Sequence, residues 1–181
     1  MSILGLLAVT VTMSLSADKQ PPVPQRAMTV CLNPGANGSP VFRAQAEASD
    51  ILGKIGVRLT WKADPRACAG DDLRIVINLS ENTPEDYRPN AMAFALPYER
   101  RTIVVFYDRV QSARVRPLLG HVLAHEIARI LQGVPVHSAT GIMKPRWTAR
   151  DFVEMCRKPL GFTAQDVQMI QLGLDVRNGL K

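Results

Sequence analysis

The segment HVLAHEIARILQGVPVHSATGIM, residues 121–143, carries the clearest fold and site signals of the chain. Apolar residues recur at helical spacing through its first half, and this pattern predicts a long helix over residues 116–132. Gly133 directly follows the pattern and allows the chain to reverse. The segment therefore predicts a buried helix that ends in a turn and leads into a loop containing a histidine.

Several residues of this segment have the chemistry of a metal site. Positions four apart on a helix lie about 40° apart around its axis, so two side chains at that spacing can point at one ion. His125 and position 129 have this spacing, and His137 can supply a further ligand from the loop. Glu126 would lie beside a metal-bound water, whose pKa Zn²⁺ lowers. The residues thus predict zinc as the cofactor and Glu126 as the general base.

The pattern resembles the active-site segment of zincin metallopeptidases of the metzincin and archaemetzincin kind. It consists of His125, Glu126, Arg129, Gly133, His137 and the Gly-Ile-Met triplet that ends at Met143. The resemblance implies an α+β fold, with a zincin-like twisted mixed sheet, an active-site helix and C-terminal helices. It also implies that Met143 forms the methionine turn under the metal. A peptide or protein substrate would pair with an antiparallel edge strand.

The segment departs from the family pattern at three places. Arg129 stands where the family has its second histidine ligand, and its guanidinium has no lone pair to offer a metal. Only His125 and His137 then remain of the three ligands. They are twelve residues apart, against ten in the metzincin pattern, and the glycine comes one residue late. Met143 follows His137 by only six residues.

Two functions from different classes remain open at this point. The first is a zinc-dependent metallopeptidase in which Glu126 activates water against a peptide bond, impaired by Arg129. The second is a metal-free, catalytically inactive peptide-binding protein in which Arg129 pairs with Glu126 three residues earlier. His121 offers a substitute ligand because it lies four residues before His125. Its alternative role is that of a helix-start residue hydrogen-bonded to a neighbouring loop or carboxylate.

Composition and charge restrict the class of protein. The chain has 181 residues, 46% of them hydrophobic, which fits a single globular domain. Lys and Arg number 22 against 16 Asp and Glu, for a net charge of +6. The basic residues are scattered, only 6% of residues are aromatic, and no nucleic-acid-binding motif occurs. We therefore expect no nucleic-acid partner.

The start of the chain predicts export. Residues 1–17 contain no charged side chain and an apolar run too short to span a bilayer comfortably, which favours a signal peptide over a buried element or an anchor. Residues 18–27 form a proline-rich leader, and residues 28–181 form the single zincin-like domain. The expected location is secreted or periplasmic, with no stable membrane span after processing. In that setting Cys31 and Cys68 could form a disulfide, whereas Cys156 is predicted to be a small buried side chain.

The remaining pattern alternates strands and helices. Residues 28–32, 57–61 and 73–79 predict strands, residues 41–55 predict a helix, and residues 91–96 and 102–107 predict a hairpin. Thr148 and Thr163 each precede an aspartate by three residues, which predicts capping boxes at the starts of two C-terminal helices.

Overall fold

The computed structural model describes residues 25–71, 73–95 and 101–179. Its five strands are β1 (Arg26–Leu32), β2 (Val57–Lys62), β3 (Ile75–Ser80), β4 (Ala93–Ala95) and β5 (Thr102–Phe106). The α-helices of these ranges are α1 (Gly38–Gly53), α2 (Tyr107–Ser112), α3 (Leu118–Gln132), α4 (Ala149–Met155) and α5 (Ala164–Arg177). Short 3₁₀ helices occur at Gly35–Asn37 and Pro65–Cys68.

The strands form one mixed sheet in the order β2-β1-β3-β5-β4. Strands β2, β1, β3 and β5 are parallel, and β4 runs antiparallel to β5 at the edge. Val30, Ile75 and Ile103, on three neighbouring parallel strands, are fully buried, because helices cover parallel sheets. The sheet and helices confirm the predicted α+β class, and β4 is the antiparallel edge strand.

Helix α3 occupies the centre of the molecule. It packs against α1, against α5, and against β4 and β5. Every residue of α3 except Arg129 is buried, as expected for a helix that is apolar on nearly all sides. Arg129 therefore marks the place where α3 reaches the surface.

The two C-terminal helices begin as the sequence predicts. Thr148 accepts a hydrogen bond from the backbone N–H of Asp151, whose side chain accepts one from the Thr148 N–H in return. Thr163 and Asp166 form the same reciprocal pair at the start of α5. Each capping box satisfies two backbone donors that a helix start leaves unpaired.

The cysteines differ in their environments. Cys31 of β1 and Cys68 of the second 3₁₀ helix form a disulfide, with their Cα atoms 6.3 Å apart. Cys156 is a free, exposed cysteine, so the prediction that it is buried is wrong. Helix α4 ends at the buried Met155, and Cys156 follows as its exposed C-cap.

Several boundaries differ from the predicted ones. The predicted signal peptide, residues 1–17, and most of the predicted leader lie outside the described residues. Residues 96–100, which belong to the predicted hairpin, also lie outside them. Strand β1 begins at Arg26, two residues before the predicted strand start at Met28, because the Arg26 N–H bonds to the Gly56 carbonyl at 2.8 Å. Helix α2 was not predicted, since it is only six residues long. No helix in the described part of the chain has the length and apolarity needed to cross a membrane.

Candidate functional site

His125 lies on the buried face of α3 with a fixed ring orientation. Its Nδ1 donates a hydrogen bond to the Ile142 carbonyl at 2.8 Å, which leaves the lone pair on Nε2. The Trp147 ring meets the imidazole edge to face, with centroids 5.6 Å apart. Burial is the main cause that lowers the pKa of His125 to about 4, and the neighbouring His137 and Arg129 lower this pKa further. The imidazole is therefore neutral at pH 7.

Arg129 and His137 are in direct contact. Nη1 of Arg129 donates to Nε2 of His137 at 3.2 Å, so this nitrogen lone pair is occupied by a guanidinium. The His137 ring stacks on that of His125, with centroids 5.5 Å apart and an angle of 29° between planes. Partial burial and then the Arg129 charge lower the pKa of His137. The two histidines and the arginine thus form one cluster.

Glu126 is buried beside this cluster, and burial raises the pKa of its carboxyl to about 7. Its Oε1 lies 4.0 Å from Nε2 of His125, but this contact is not an ion pair near neutral pH because the imidazole is uncharged. Its Oε2 has no hydrogen-bond partner in the described part of the chain. The predicted Arg129–Glu126 pair is absent as a direct contact within the described residues. Arg129 bonds to His137 instead, although its charge still acts on the Glu126 carboxyl.

The loop beyond α3 is held by glycine turns and backbone bonds. Gly133 ends the helix in the left-handed region, at φ 69°, and its N–H bonds to the Arg129 carbonyl at 3.1 Å. The Ser138 N–H bonds to the Met143 carbonyl at 2.9 Å and closes the loop that follows His137. Met143 is fully buried in the core. The helix therefore ends in the turn predicted at Gly133, and the buried Met143 fixes the end of the loop in the core.

Gly141 cannot be replaced without moving the loop. Its φ is +72°, and a Cβ there would lie 2.5 Å from the Gly161 carbonyl oxygen. The next residue, Ile142, donates its N–H to the same carbonyl at 2.9 Å. This contact fixes the backbone segment whose carbonyl orients His125.

His121 has no free nitrogen for a metal. Its Nδ1 donates to the Pro117 carbonyl at 2.9 Å, and its Nε2 accepts from the Leu160 N–H at 3.0 Å. Glu47 lies 3.4 Å from the same Nδ1, but burial lowers the pKa of His121, so the contact is not a charged pair. In this structure His121 is the helix-start residue bonded to a neighbouring loop.

The residues present do not fit a three-ligand zinc site. Zinc in enzymes takes lone pairs from three protein side chains and leaves one position open. Here His125 offers Nε2, Arg129 offers none, and the Nε2 of His137 already accepts from Arg129. Within residues 25–71, 73–95 and 101–179, no group of three or more His, Cys, Asp or Glu side chains is arranged to hold a metal.

The cluster faces a cleft of about 870 Å³. One wall is the segment 87–95, which includes β4, and the other is α3 with residues 144–147 and Phe152. Sequence reasoning missed Trp147 and the Ile142 carbonyl as parts of the site. Trp147 follows the Gly-Ile-Met triplet by four residues, and an aromatic so close to the loop was the available signal.

No protein-family model matches the chain, and no curated protein matches it. A search of solved structures found a match to the crystal structure of archaemetzincin from Methanopyrus kandleri. That chain is 17% identical, and the match covers 87% of this chain and 99% of the other, with a TM-score of 0.47.

Proposed function

We propose that this protein is a metal-free peptide-binding protein with a zincin-like architecture, in which an arginine takes the region of the catalytic metal. The observation that carries the proposal is the hydrogen bond from Nη1 of Arg129 to Nε2 of His137 at 3.2 Å. It places a permanent positive charge among the side chains that a metal would need. The site keeps its shape but lacks the means to activate water.

Electrostatics supports the same conclusion. The Arg129 guanidinium lowers the pKa of both neighbouring imidazoles, which means that it disfavours further positive charge at these rings. A divalent cation between His125 and His137 would meet that repulsion at short range. It would also have to break the bond that Arg129 makes to His137.

Peptide binding is supported by the edge strand. The Met92 carbonyl accepts a hydrogen bond from the Phe106 N–H at 2.9 Å, and Phe94 lies opposite Val104. Antiparallel pairs alternate between bonded and non-bonded positions, so the backbone N–H groups of Ala93 and Ala95 face away from β5. The side of β4 that carries these N–H groups is the edge of the sheet, and it lies beside the cleft. An extended peptide can add to this edge as a further strand.

Zinc titration of the purified chain tests the metal half of the proposal. We expect no saturable zinc binding by calorimetry and substoichiometric zinc after exhaustive dialysis. One zinc per chain that survives dialysis would overturn the proposal and support a zinc peptidase.

Strand addition is tested with Ala93→Pro. The substitution removes an outward N–H without removing a bond to β5, so nonapeptides selected from a displayed random library should lose binding to the variant. Ala93→Val retains the N–H and should bind as the original chain does. Thermal melts of both variants verify that the sheet is intact. Equal binding to both variants, or a library that yields no ligand, contradicts this binding mode.

A second candidate is a zinc-dependent peptidase that uses His125 and His137 as ligands and Glu126 as general base. It is favoured by the Ile142 carbonyl, which accepts from Nδ1 of His125 and leaves Nε2 free. In zinc sites a ligating histidine is oriented by an acceptor on its other ring nitrogen in the same way. The zinc titration described above separates the two functions. Chelator-sensitive cleavage of a casein substrate would support this candidate.

We also propose that the protein is secreted or periplasmic. The proposal rests on the apolar segment 1–17 and on the Cys31–Cys68 disulfide, since disulfides persist in oxidising compartments. Fusion of residues 1–27 to a periplasmic reporter enzyme should give export and cleavage of the leader. Retention of an uncleaved fusion in the cytosol would refute the assignment.

A further inference from the structure

We propose that the peptide bound in this cleft presents a carboxylate to Arg129. This inference rests on the proposed peptide-binding function and names the class of ligand. The carboxylate belongs either to an acidic side chain or to the C-terminus of the peptide, and both sources offer the same chemistry to a guanidinium.

The charge of the cleft walls is the first observation. The basic residues among its lining are Arg88, Arg129, Lys144 and Arg146, and Glu126 is the one acidic residue among the described lining side chains. Lys144 is already paired with Asp151, Nζ to Oδ2, at 2.5 Å, so it contributes less to the field. The other three basic residues still give the cleft an excess of positive charge, which attracts anionic ligands and repels cationic ones.

The unused donors of Arg129 are the second observation. A guanidinium has five N–H groups, and Nη1 donates to His137. Its Nε is buried and has no hydrogen-bond partner among the residues that the structure describes. An unpaired donor inside the protein is costly, and the two oxygens of a carboxylate in the cleft match the fork formed by the remaining N–H groups of the guanidinium. The position is thus prepared for a planar anion.

The surroundings of Arg129 favour a carboxylate that arrives on a peptide. Helix α3 packs against β4, and both line the same cleft. A strand added to β4 therefore passes close to the guanidinium. The stacked, uncharged imidazoles of His125 and His137 form the adjoining wall, so Arg129 carries the charge of the cluster.

Fluorescence anisotropy with matched peptides tests the inference. The probes are labelled, C-terminally amidated nonapeptides of Val and Thr with Glu, Gln or Lys at the centre, and a fourth probe has central Gln with a free C-terminal carboxylate. We expect the Glu peptide, the free-carboxylate peptide or both to bind about tenfold more tightly than the amidated Gln peptide. The comparison identifies the source of the carboxylate. The Lys peptide should bind most weakly.

Variants separate Arg129 from general charge effects. Arg129→Gln should abolish the preference for a carboxylate, and Arg129→Lys should retain part of it because a charge remains without the fork. Arg150→Gln makes the same change at an exposed residue of α4 outside the cleft, and should retain the full preference. Circular dichroism and thermal melts confirm that each variant is folded.

The outcomes distinguish this inference from the proposed function. If all peptides bind equally well, or if Arg129→Gln retains the preference, the inference is wrong and peptide binding stands. If no peptide binds, both fail. If inorganic phosphate competes as strongly as the acidic peptide, the site is a general anion site and the inference is also overturned.

Discussion

The carbonyl oxygen of Ile142 accepts a hydrogen bond from Nδ1 of His125 at 2.8 Å, across 17 residues of sequence. The indole N–H of Trp147 reaches the same oxygen at 3.3 Å. One backbone carbonyl therefore joins the central helix, the Gly-Ile-Met loop and the aromatic wall of the cleft. It fixes the tautomer of His125 and holds its Nε2 towards Glu126.

The titration of His125 is the first prediction. Burial lowers its pKa to about 4, so its ring should remain neutral, with the proton on Nδ1, at every pH above about 5. Nitrogen-detected NMR of the imidazole measures both the tautomer and the pKa. In Arg129→Gln the pKa of His125 and that of His137 should rise, because the guanidinium charge that disfavours protonation is gone. A His125 ring that titrates at its ordinary pKa of about 6.5 would contradict the buried geometry.

The metal ligand set gives the second prediction. Arg129→His removes the guanidinium from the Nε2 of His137 and places a histidine four residues after His125 on the same helix. Calorimetry should therefore detect saturable zinc binding by Arg129→His, which we do not expect of the original chain.

Arg129→Gln is the matched control for this gain. It removes the charge without adding a lone-pair nitrogen ligand, so its zinc affinity should stay well below that of Arg129→His. If the two variants bind zinc equally, charge alone excludes the metal. If neither variant binds zinc, the loop after Gly133 holds His137 in a position unsuited to a three-histidine site.

Local sequence signals predicted much of the fold. The capping boxes at Thr148 and Thr163 depend on residues only three positions apart. The helix of residues 116–132 depends on the spacing of its apolar residues. Each signal lies within a short stretch of sequence and could therefore be recognised. The partner of Arg129 was predicted wrongly, because the spacing of three residues along the helix favoured Glu126, whereas the structure has His137. Only the path of the loop after Gly133 brings the His137 ring onto the guanidinium.

Similar limits explain the other differences. Cys156 follows the last turn of α4, and its exposure depends on where that helix ends. The outward N–H groups of Ala93 and Ala95 depend on the register of β4 with β5. Neither the helix end nor the register is encoded in residues close to these positions, because both result from packing of the assembled sheet and helices.

A carboxyl group away from the cleft gives the third prediction. Glu47 of α1 is partly buried next to Gly120 of α3. Burial, and then the charge of Asp50, raise its pKa to about 7. Folding therefore favours the protonated form, and the free energy of unfolding should fall as the pH rises from about 4.5 to about 7 through this group alone.

Glu47→Gln isolates that contribution because it removes the charge and retains the shape. The variant should be as stable as the original chain at pH 4 and more stable at pH 8, by at most about 1 kcal/mol once solvent screening of this partly exposed group is allowed for. Urea unfolding at the two pH values measures the difference. Glu154→Gln, at an exposed position of α4, is the control. A Glu47→Gln gain that is equal at both pH values would show that the effect does not come from ionisation.

A close contact between helices α3 and α5 gives the last prediction. Gly173 of α5 faces Leu131 of α3 so closely that a Cβ added there would lie 1.8 Å from the Leu131 carbonyl oxygen. Gly173→Ala must therefore push α5 away from α3, and we expect it to lower the free energy of unfolding by about 2–4 kcal/mol. Gly53→Ala, also in a helix, adds a Cβ that has no described atom within 4 Å, and it should be neutral or raise stability by up to about 1 kcal/mol. Chemical denaturation measures both. Because α3 carries His125, Glu126 and Arg129, Gly173→Ala should also weaken peptide binding. Equal stability of the two variants would mean that α5 does not pack on α3 at this distance.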